Sequence, residues 1–296
     1  MKISLVTDEV SSDLETAIEL GLEWGVEAFE LRGIGDQRVP RFSDYQKQRV
    51  LELKQAYGIR IVAISPGLFK IPYPPKKRKQ FSLQVIDAGY YDQWQAARRL
   101  LDYHTQELLP ASIEYAKQVG AEQIIAFGFE RGSQPPGFPP DEILEAFQMA
   151  ARQVARAGLR LSVEVEAGFW ADTGERTAAI IRAVGEDGFG VNWDPGNAFA
   201  AGDIPYPNGY QAVREVVQHV HFKDAVRRLD GSIDHTVEGE IDWAGQIRAL
   251  HEDGYQGYIS VEPHLQPKVA SARAVTARLK RLIQSNEQPG GSGAGK

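Results

Sequence analysis

The feature that most constrains the fold is a regular alternation of two hydrophobic patterns along the whole chain. Short apolar runs, typical of strands buried on both faces, alternate with segments whose apolar residues recur with the spacing of one helix face. Eight strands that alternate with helices predict an α/β protein with a single (β/α)8 barrel, the TIM barrel. The runs lie at residues 3–7, 26–31, 59–64, 123–127, 159–165, 189–193, 216–222 and 258–261.

The extent of the domain follows from how composition varies along the chain. No change in composition divides the first part of the sequence, so we expect one barrel domain over residues 1–285. Residues 286–296 are rich in glycine and have no apolar face, which predicts a flexible tail. The connection at 65–94 is unusually long and contains prolines and aromatic residues. We expect a lid over the barrel mouth there, with the basic residues at 76–79 facing solvent.

Charge and cysteine content exclude several classes of function. The chain has 33 Lys and Arg against 40 Asp and Glu, a net charge of −7, which disfavours nucleic acid or an anionic membrane as the main partner. The absence of cysteine excludes a disulfide framework, a thiolate zinc site and a cysteine nucleophile. No apolar stretch is long enough to span a membrane, and the first residues lack a secretory signal, so we expect a cytoplasmic protein.

Ionisable residues follow several of the predicted strands, at the point where each strand ends. In a TIM barrel the carboxyl ends of the strands meet at one rim, where the catalytic groups of such enzymes lie. Several charges that converge on one rim are unfavourable unless a partner such as a metal ion compensates them. The residues are Asp8, Glu30, Glu164, Glu166, Asp194, His219, His221, Lys223 and Glu262.

Side-chain alternation indicates which of these residues face one another. Glu164 and Glu166 are two positions apart, so both project to one side of the fifth strand. His219, His221 and Lys223 share one side of the seventh strand for the same reason. If these sides face the barrel interior, three carboxylates and one imidazole can surround a cation, a set that suits Mn²⁺, Mg²⁺ or Co²⁺ rather than a structural zinc. We expect His219 to be a packed strand residue and not a ligand.

Four motifs occur in an order that resembles a known family. They are Val163-Glu-Val-Glu166, Val191-Asn-Trp-Asp194-Pro-Gly-Asn197, His219-Val-His221-Phe-Lys223 and Ser260-Val-Glu262-Pro-His264. Together they resemble the sugar-phosphate isomerase/epimerase superfamily with the xylose-isomerase-like barrel, over roughly residues 2–283. The resemblance implies one divalent metal ion, with Mn²⁺ as the first choice and Mg²⁺, Co²⁺ or Zn²⁺ as alternatives. The implied ligands are Glu164, Asp194, His221 and Glu262.

The resemblance also implies substrate-binding residues, with departures that leave the substrate open. Arg227 occupies the position of an arginine that touches substrate in ketose 3-epimerases. Glu166 stands where many members have histidine, and Trp170 and Asn197 stand where those epimerases have glutamate and histidine. The implied substrate-binding residues are Glu166, Asn197, Lys223, Arg227 and His264.

The activity that the resemblance implies is that of a metal-dependent isomerase or epimerase of a small sugar or related polyhydroxylated carbonyl compound. Glu164 and Glu262 are the expected catalytic residues, which transfer a proton through an enediolate that the metal ion stabilises. A dehydratase of a keto-inositol-like compound is the alternative; an apurinic endonuclease and a non-catalytic carbohydrate-binding barrel are less favoured. The expected partner is a small carbohydrate, with neither nucleic acid nor membrane. Monomer and homo-oligomer both stay open.

Overall fold

Eight parallel strands form a closed barrel in the computed structural model, which describes residues 1–73 and 88–287. The barrel strands are β1 Lys2–Val6, β2 Ala28–Leu31, β3 Arg60–Leu68, β4 Gln123–Phe127, β5 Arg160–Glu164, β6 Phe189–Trp193, β7 Val217–Phe222 and β8 Tyr258–Val261. Each strand pairs with the next along the chain, and β8 closes the barrel against β1 with Ser4 beside Ser260. This topology confirms the predicted (β/α)8 TIM barrel.

Several of the helices around the barrel begin or end at capping residues. They are α1 Thr7–Val10, α2 Leu14–Glu23, α3 Asp44–Tyr57, α4 Ala88–Tyr103, α5 Leu109–Val119, α6 Asp141–Arg156, α7 Gly174–Val184, α8 Pro195–Ala200, α9 Tyr210–Val213, α10 Trp243–Glu252 and α11 Lys268–Glu287. At the start of α3, Ser43 and Gln46 accept hydrogen bonds from each other's backbone N–H groups, a capping box. The helix ends at Gly58, whose φ of 67° favours glycine. Within the described residues, every helix is too short or too polar to cross a membrane.

The helices pack on the barrel through one apolar face. On α6, for example, Ile143, Phe147, Ala150 and Val154 are fully buried. They recur every three or four positions and therefore lie on one side of the helix. Their burial explains why the hydrophobic pattern alone predicts a helix in this part of the chain.

Two small hairpins on the carboxyl-terminal side of the barrel were not predicted from the sequence. The β2 hairpin pairs Gly33–Ile34 with Gln37–Arg38 directly after β2. The β7 hairpin pairs Asp224–Arg227 with Ile233–Thr236 directly after β7. Both are short and rich in polar residues, so no apolar run marks them. They extend the wall of the barrel mouth.

The first part of the expected lid belongs to the core. β3 continues to Leu68, beyond the predicted end at residue 64, and Leu68 pairs with Ala126 of β4. Phe69 is fully buried, and its ring centroid lies 4.6 Å from that of Phe129. The lid prediction is therefore wrong for residues 65–69, because these residues pack inside the protein. Residues 74–87, with the basic residues at 76–79, lie outside the described residues.

The last helix extends past the predicted end of the domain. α11 includes residues 286 and 287, the first two residues of the expected tail. The helical pattern therefore continues slightly farther than the apolar residues indicate. Residues 288–296 lie outside the described residues, so the flexible tail there stays a prediction.

A buried histidine beneath Phe69 should make stability depend on pH. Nδ1 of His104 accepts a hydrogen bond of 2.8 Å from the Phe69 backbone N–H. Burial, followed by the positive charge of Arg41, lowers the pKa of His104 to about 4 from its ordinary 6.5. The unfolded chain therefore binds a proton more readily than the folded chain. The resulting stabilisation is complete above pH 6.5 and is lost as the pH falls toward 4.

We expect the free energy of unfolding to fall by about 2 kcal/mol between pH 7 and pH 5 through this histidine. Urea unfolding at the two pH values measures the change. His104→Gln keeps a hydrogen-bond acceptor but does not titrate, so its stability should change less over the same range. An equal loss in the variant and the natural protein would contradict the prediction.

Candidate functional site

Four strand ends bring the predicted metal ligands together. Glu164 is the last residue of β5, Asp194 and Glu262 directly follow β6 and β8, and His221 lies near the end of β7. All four side chains are buried, and one ligand atom from each lies within 4.8 Å of the others. His221 Nδ1 is 3.6 Å from a carboxylate oxygen of Glu164, 3.6 Å from one of Asp194 and 3.2 Å from one of Glu262.

The chemistry of these donors fits a divalent cation. Within the described chain, His221 Nδ1 is buried and has no hydrogen-bond partner, although three carboxylates surround it. Burial lowers the pKa of His221, but the charges of Glu30, Glu262 and Glu164 outweigh burial and hold that pKa well above its usual value. The surroundings therefore favour positive charge at this position. Three carboxylates and one imidazole form a set that binds Mn²⁺, Mg²⁺, Co²⁺ or Zn²⁺.

A fourth carboxylate orients the imidazole of His221. Glu30 Oε2 lies 3.0 Å from His221 Nε2 and 3.1 Å from His219 Nε2. Burial raises the pKa of Glu30, but the charge of His221 and the hydrogen bond from His219 outweigh it and lower that pKa, which favours the carboxylate form. An anionic partner at Nε2 favours the tautomer with its proton there, which leaves the Nδ1 lone pair free. His219 contacts Glu30 and Ser260, as a packed strand residue would.

Lys223 brings a buried positive charge beside two of the carboxylates. Its Nζ is 2.8 Å from Asp194 Oδ2 and 2.5 Å from Glu262 Oε2. Burial lowers the pKa of Lys223, but Asp194 and Glu262 outweigh burial and raise it above its ordinary value. A Cβ at position 196 would lie 2.4 Å from Cγ of Lys223, so Gly196 is needed to admit this side chain.

Glu262 takes part in a charge network that the sequence did not reveal. Arg32 donates to Glu262 Oε1 at 2.5 Å, to Glu9 Oε1 at 2.5 Å and to Asp8 at 2.9 Å. Burial raises the pKa of Glu9, but the hydrogen bond from His264 and the charge of Arg32 lower it to about 2. Arg32 directly follows β2 and Glu9 lies in α1, so both stand at strand ends. Their location just after barrel strands is the sequence signal that could have identified Arg32 and Glu9.

The predicted substrate-binding residues lie at different distances from this centre. Asn197 donates to the Val165 carbonyl oxygen at 2.9 Å and to Glu164 at 3.4 Å, which places it against a ligand candidate. His264 Nε2 is 3.5 Å from Glu262 Oε2. Arg227 is exposed on the β7 hairpin, where it donates to the Phe199 carbonyl oxygen.

Glu166 and Asn192 each contact a charged or ligand-candidate side chain near this centre. Glu166 pairs with Lys70 at 3.1 Å, and burial, then the charge of Glu164, raises the pKa of Glu166. Asn192, which the sequence did not single out, lies 3.1 Å from His221 Nε2 and 3.4 Å from Glu164 Oε2. Its amide therefore donates to one ligand candidate, Glu164, and lies beside another, His221, from within β6.

Comparisons with known proteins agree with this architecture. Residues 18–282 match the family described as xylose isomerase-like TIM barrel. The solved IOLI protein with a bound zinc atom has a TM-score of 0.70 at 18% identity, covering 98% of this chain and 100% of that chain. An L-ribulose 3-epimerase has a TM-score of 0.68 at 18% identity, covering 97% of this chain and 96% of that chain. The probable 3-DHS dehydratase AsbF from Bacillus anthracis has a TM-score of 0.64 at 18% identity, covering 95% of this chain and 99% of that chain.

These structural similarities show the fold alone, because the identities are low. The search of curated proteins found no match.

Proposed function

The chain belongs to the xylose isomerase-like TIM barrel family, and from this premise we propose that it is a divalent-metal-dependent isomerase or epimerase. Its substrate is a small sugar or related polyhydroxylated carbonyl compound. One observation carries the proposal: the unbonded Nδ1 of buried His221 lies 3.2–3.6 Å from oxygens of Glu164, Asp194 and Glu262. These four residues would hold the ion, with Mn²⁺ preferred for a set rich in oxygen. When bound, the ion would polarise the substrate carbonyl group.

The two glutamates supply the proton transfer. Glu164 and Glu262 come from β5 and β8, on different sides of the barrel mouth. Burial raises the pKa of Glu262, but Lys223 and His221 outweigh it and hold that pKa well below its usual value, which favours the deprotonated form that a general base requires. Removal by one glutamate and return by the other inverts the carbon next to the carbonyl group. Return to the adjacent carbon would instead convert an aldose to a ketose.

A dehydratase is the second candidate, and the surroundings of Glu262 favour it. The Lys223 amino group lies 2.5 Å from Glu262 Oε2, and His264 Nε2 lies 3.5 Å from the same oxygen. A proton donor beside the base could protonate a departing hydroxyl group after deprotonation. This route shares the metal ion and the first proton transfer, then releases water. It differs from isomerisation in the second step, in which a hydroxyl group leaves as water and no proton returns to carbon.

A substrate panel tests the proposed function. We expect purified protein with Mn²⁺ to isomerise or epimerise at least one ketose or aldose, and EDTA-treated protein to lose this activity. Keto-inositols and abasic DNA belong in the same panel. Release of water from a keto-inositol would establish the dehydratase instead. Cleavage of abasic DNA, or sugar binding without turnover, would contradict both candidates.

The contact between Glu30 and His221 leads to a prediction about metal affinity. Glu30→Gln should weaken Mn²⁺ binding by about 10- to 100-fold, because it removes the anionic partner that orients the imidazole. Calorimetric titration with Mn²⁺ measures the change. Ser112→Ala is the control, since Ser112 is also buried but donates to the Leu108 carbonyl oxygen, apart from the contacts of Glu30. Unchanged affinity in Glu30→Gln would contradict the orienting role.

A further inference from the structure

Arg38 is a partly buried cation whose known partners are neutral. It ends the β2 hairpin, and its guanidinium donates to the carbonyl oxygen of Ser65 at 2.8 Å and to the hydroxyl group of Ser65 at 2.9 Å. Its Nε packs closely on Gly67, where a Cβ would lie 3.3 Å away. These contacts use Nε and Nη2. They fix the orientation of the guanidinium while its terminal edge remains available.

The charge of Arg38 lacks a close counterion. In the described ranges no carboxylate lies within ion-pair distance of Arg38, whereas Arg32 contacts three. Burial, followed by the repulsion of Arg32, lowers the pKa of Arg38, and the charges of three carboxylates beyond ion-pair distance, Glu164, Asp8 and Glu262, offset this only in part. Withdrawing a cation from water without an anionic partner is unfavourable. The guanidinium is therefore preorganised for an anion that the described residues do not supply.

A second cation shares the same aromatic ring. Lys70 Nζ lies 4.4 Å from the centroid of the Phe127 ring, and Arg38 Cζ lies 5.8 Å from it. Phe127 ends β4 and pairs in register with Glu164 of β5. The two cations thus stand at the barrel mouth, one strand away from a candidate metal ligand. Lys70 also pairs with Glu166, so of these two cations Arg38 is the one that forms no ion pair with a described residue.

We propose that Arg38, assisted by Lys70, binds an anionic group of the substrate, either a carboxylate or a phosphate. This inference rests on the proposed function and narrows its substrate to a sugar acid or a sugar phosphate. The terminal edge of a guanidinium matches both oxyanions, since it offers two parallel N–H donors. Arg38 would hold the charged end while the carbonyl end reaches the glutamates. It is a residue that determines specificity, and proton transfer does not involve it.

Binding of unreactive probes tests the subsite apart from the reaction. EDTA-treated protein is titrated with D-glucitol, D-gluconate and D-glucitol 6-phosphate, so that no metal ion can hold the anion. We expect at least one anionic probe to bind about 10- to 100-fold more tightly than D-glucitol, the scale of a charge-assisted hydrogen bond. The two anionic probes distinguish a carboxylate subsite from a phosphate subsite.

Variants of Arg38 identify the residue responsible. Arg38→Gln should abolish the preference for anionic probes. Arg38→Lys keeps the charge but loses the two parallel N–H donors, so it should retain part of the preference. Arg60→Gln, at the opposite end of β3 from Ser65, is the control and should keep the full preference. Melting temperatures show whether each variant is folded. Equal binding of D-glucitol and the anionic probes, or a preference that survives in folded Arg38→Gln, would overturn the proposal.

The substrate panel separates failure of the subsite from failure of the proposed function. In the natural protein we expect anionic sugars to have higher kcat/KM than neutral ones, with the advantage lost in Arg38→Gln. If the protein turns over neutral sugars and Arg38→Gln changes kcat/KM for neither neutral nor anionic sugars, the subsite is overturned. The proposed isomerase activity is then retained. Anion binding that depends on Arg38 in a protein that isomerises no sugar would overturn the isomerase and support the subsite.

Discussion

His221→Ala should lower the affinity for Mn²⁺ by at least ~10-fold, and activity should fall with it. The imidazole is the only nitrogen donor among the four ligand candidates. Its removal leaves three carboxylates as ligand candidates. Two of them, Asp194 and Glu262, already share the charge of Lys223. Elemental analysis of purified protein gives the metal content, and calorimetry gives the affinity. Full occupancy in His221→Ala would refute the assignment of this ligand.

Two controls make the metal measurement specific. His251→Ala removes an exposed histidine at the end of α10 and should leave metal content unchanged. Asp194 has a second role, because its side chain accepts a hydrogen bond of 2.9 Å from the Asn197 backbone N–H at the start of α8. Loss of that cap alone costs about 1 kcal/mol of stability. Asp194→Asn keeps the cap and removes the charge, so it separates metal affinity from folding.

Glu262→Gln should slow turnover by at least ~10²-fold, the scale of general acid–base catalysis, while some metal binding remains. The amide nearly preserves the size of the carboxylate but cannot accept the proton. In D₂O the natural protein should place deuterium on the carbon next to the carbonyl group, because the removed proton exchanges with solvent. Mass spectrometry of the product measures this label. Rates must be compared at measured metal content, since Glu262 is also a ligand candidate.

Two results would contradict the role of Glu262 in proton transfer. Near-normal turnover by a metal-replete Glu262→Gln protein would show that another group removes the proton. An isomerised product without deuterium would indicate a hydride shift. Glu252→Gln, at the exposed end of α10, is the matched control and should retain both rate and label.

The barrel could be predicted from sequence because buried parallel strands have a simple signature. β4, β6 and β8 lie where their apolar runs predict them. β3 differs because Ser65, Pro66 and Gly67 resemble a turn, yet the chain continues alongside β4 and pairs Leu68 with Ala126. Local preference favours a break there, and tertiary pairing overrides it. The small hairpins escape prediction because they have no apolar pattern.

The candidate metal centre could be predicted because its carboxylates lie at the ends of apolar runs and within motifs that resemble those of a known family. The network around Arg32 could not be predicted in the same way. Arg32, Glu9 and Glu262 are distant in sequence and meet only because β1 lies between β2 and β8 in the closed barrel. The choice of partner for a charged side chain depends on that three-dimensional neighbourhood. The missing counterion of Arg38 likewise becomes visible only once its surroundings are known.

The pairing of β1 with β8 also determines when in folding the candidate metal centre can form. Lys2 pairs with Tyr258, and Glu262, directly after β8, contacts Arg32, directly after β2, so these contacts join the two ends of the chain. Contacts of such long sequence separation form slowly, because the chain entropy of closing the loop must be overcome first. We therefore expect a divalent cation to bind the closed barrel in preference to the partly folded chain. Its stabilisation of the closed state would then grow with the logarithm of the free metal concentration.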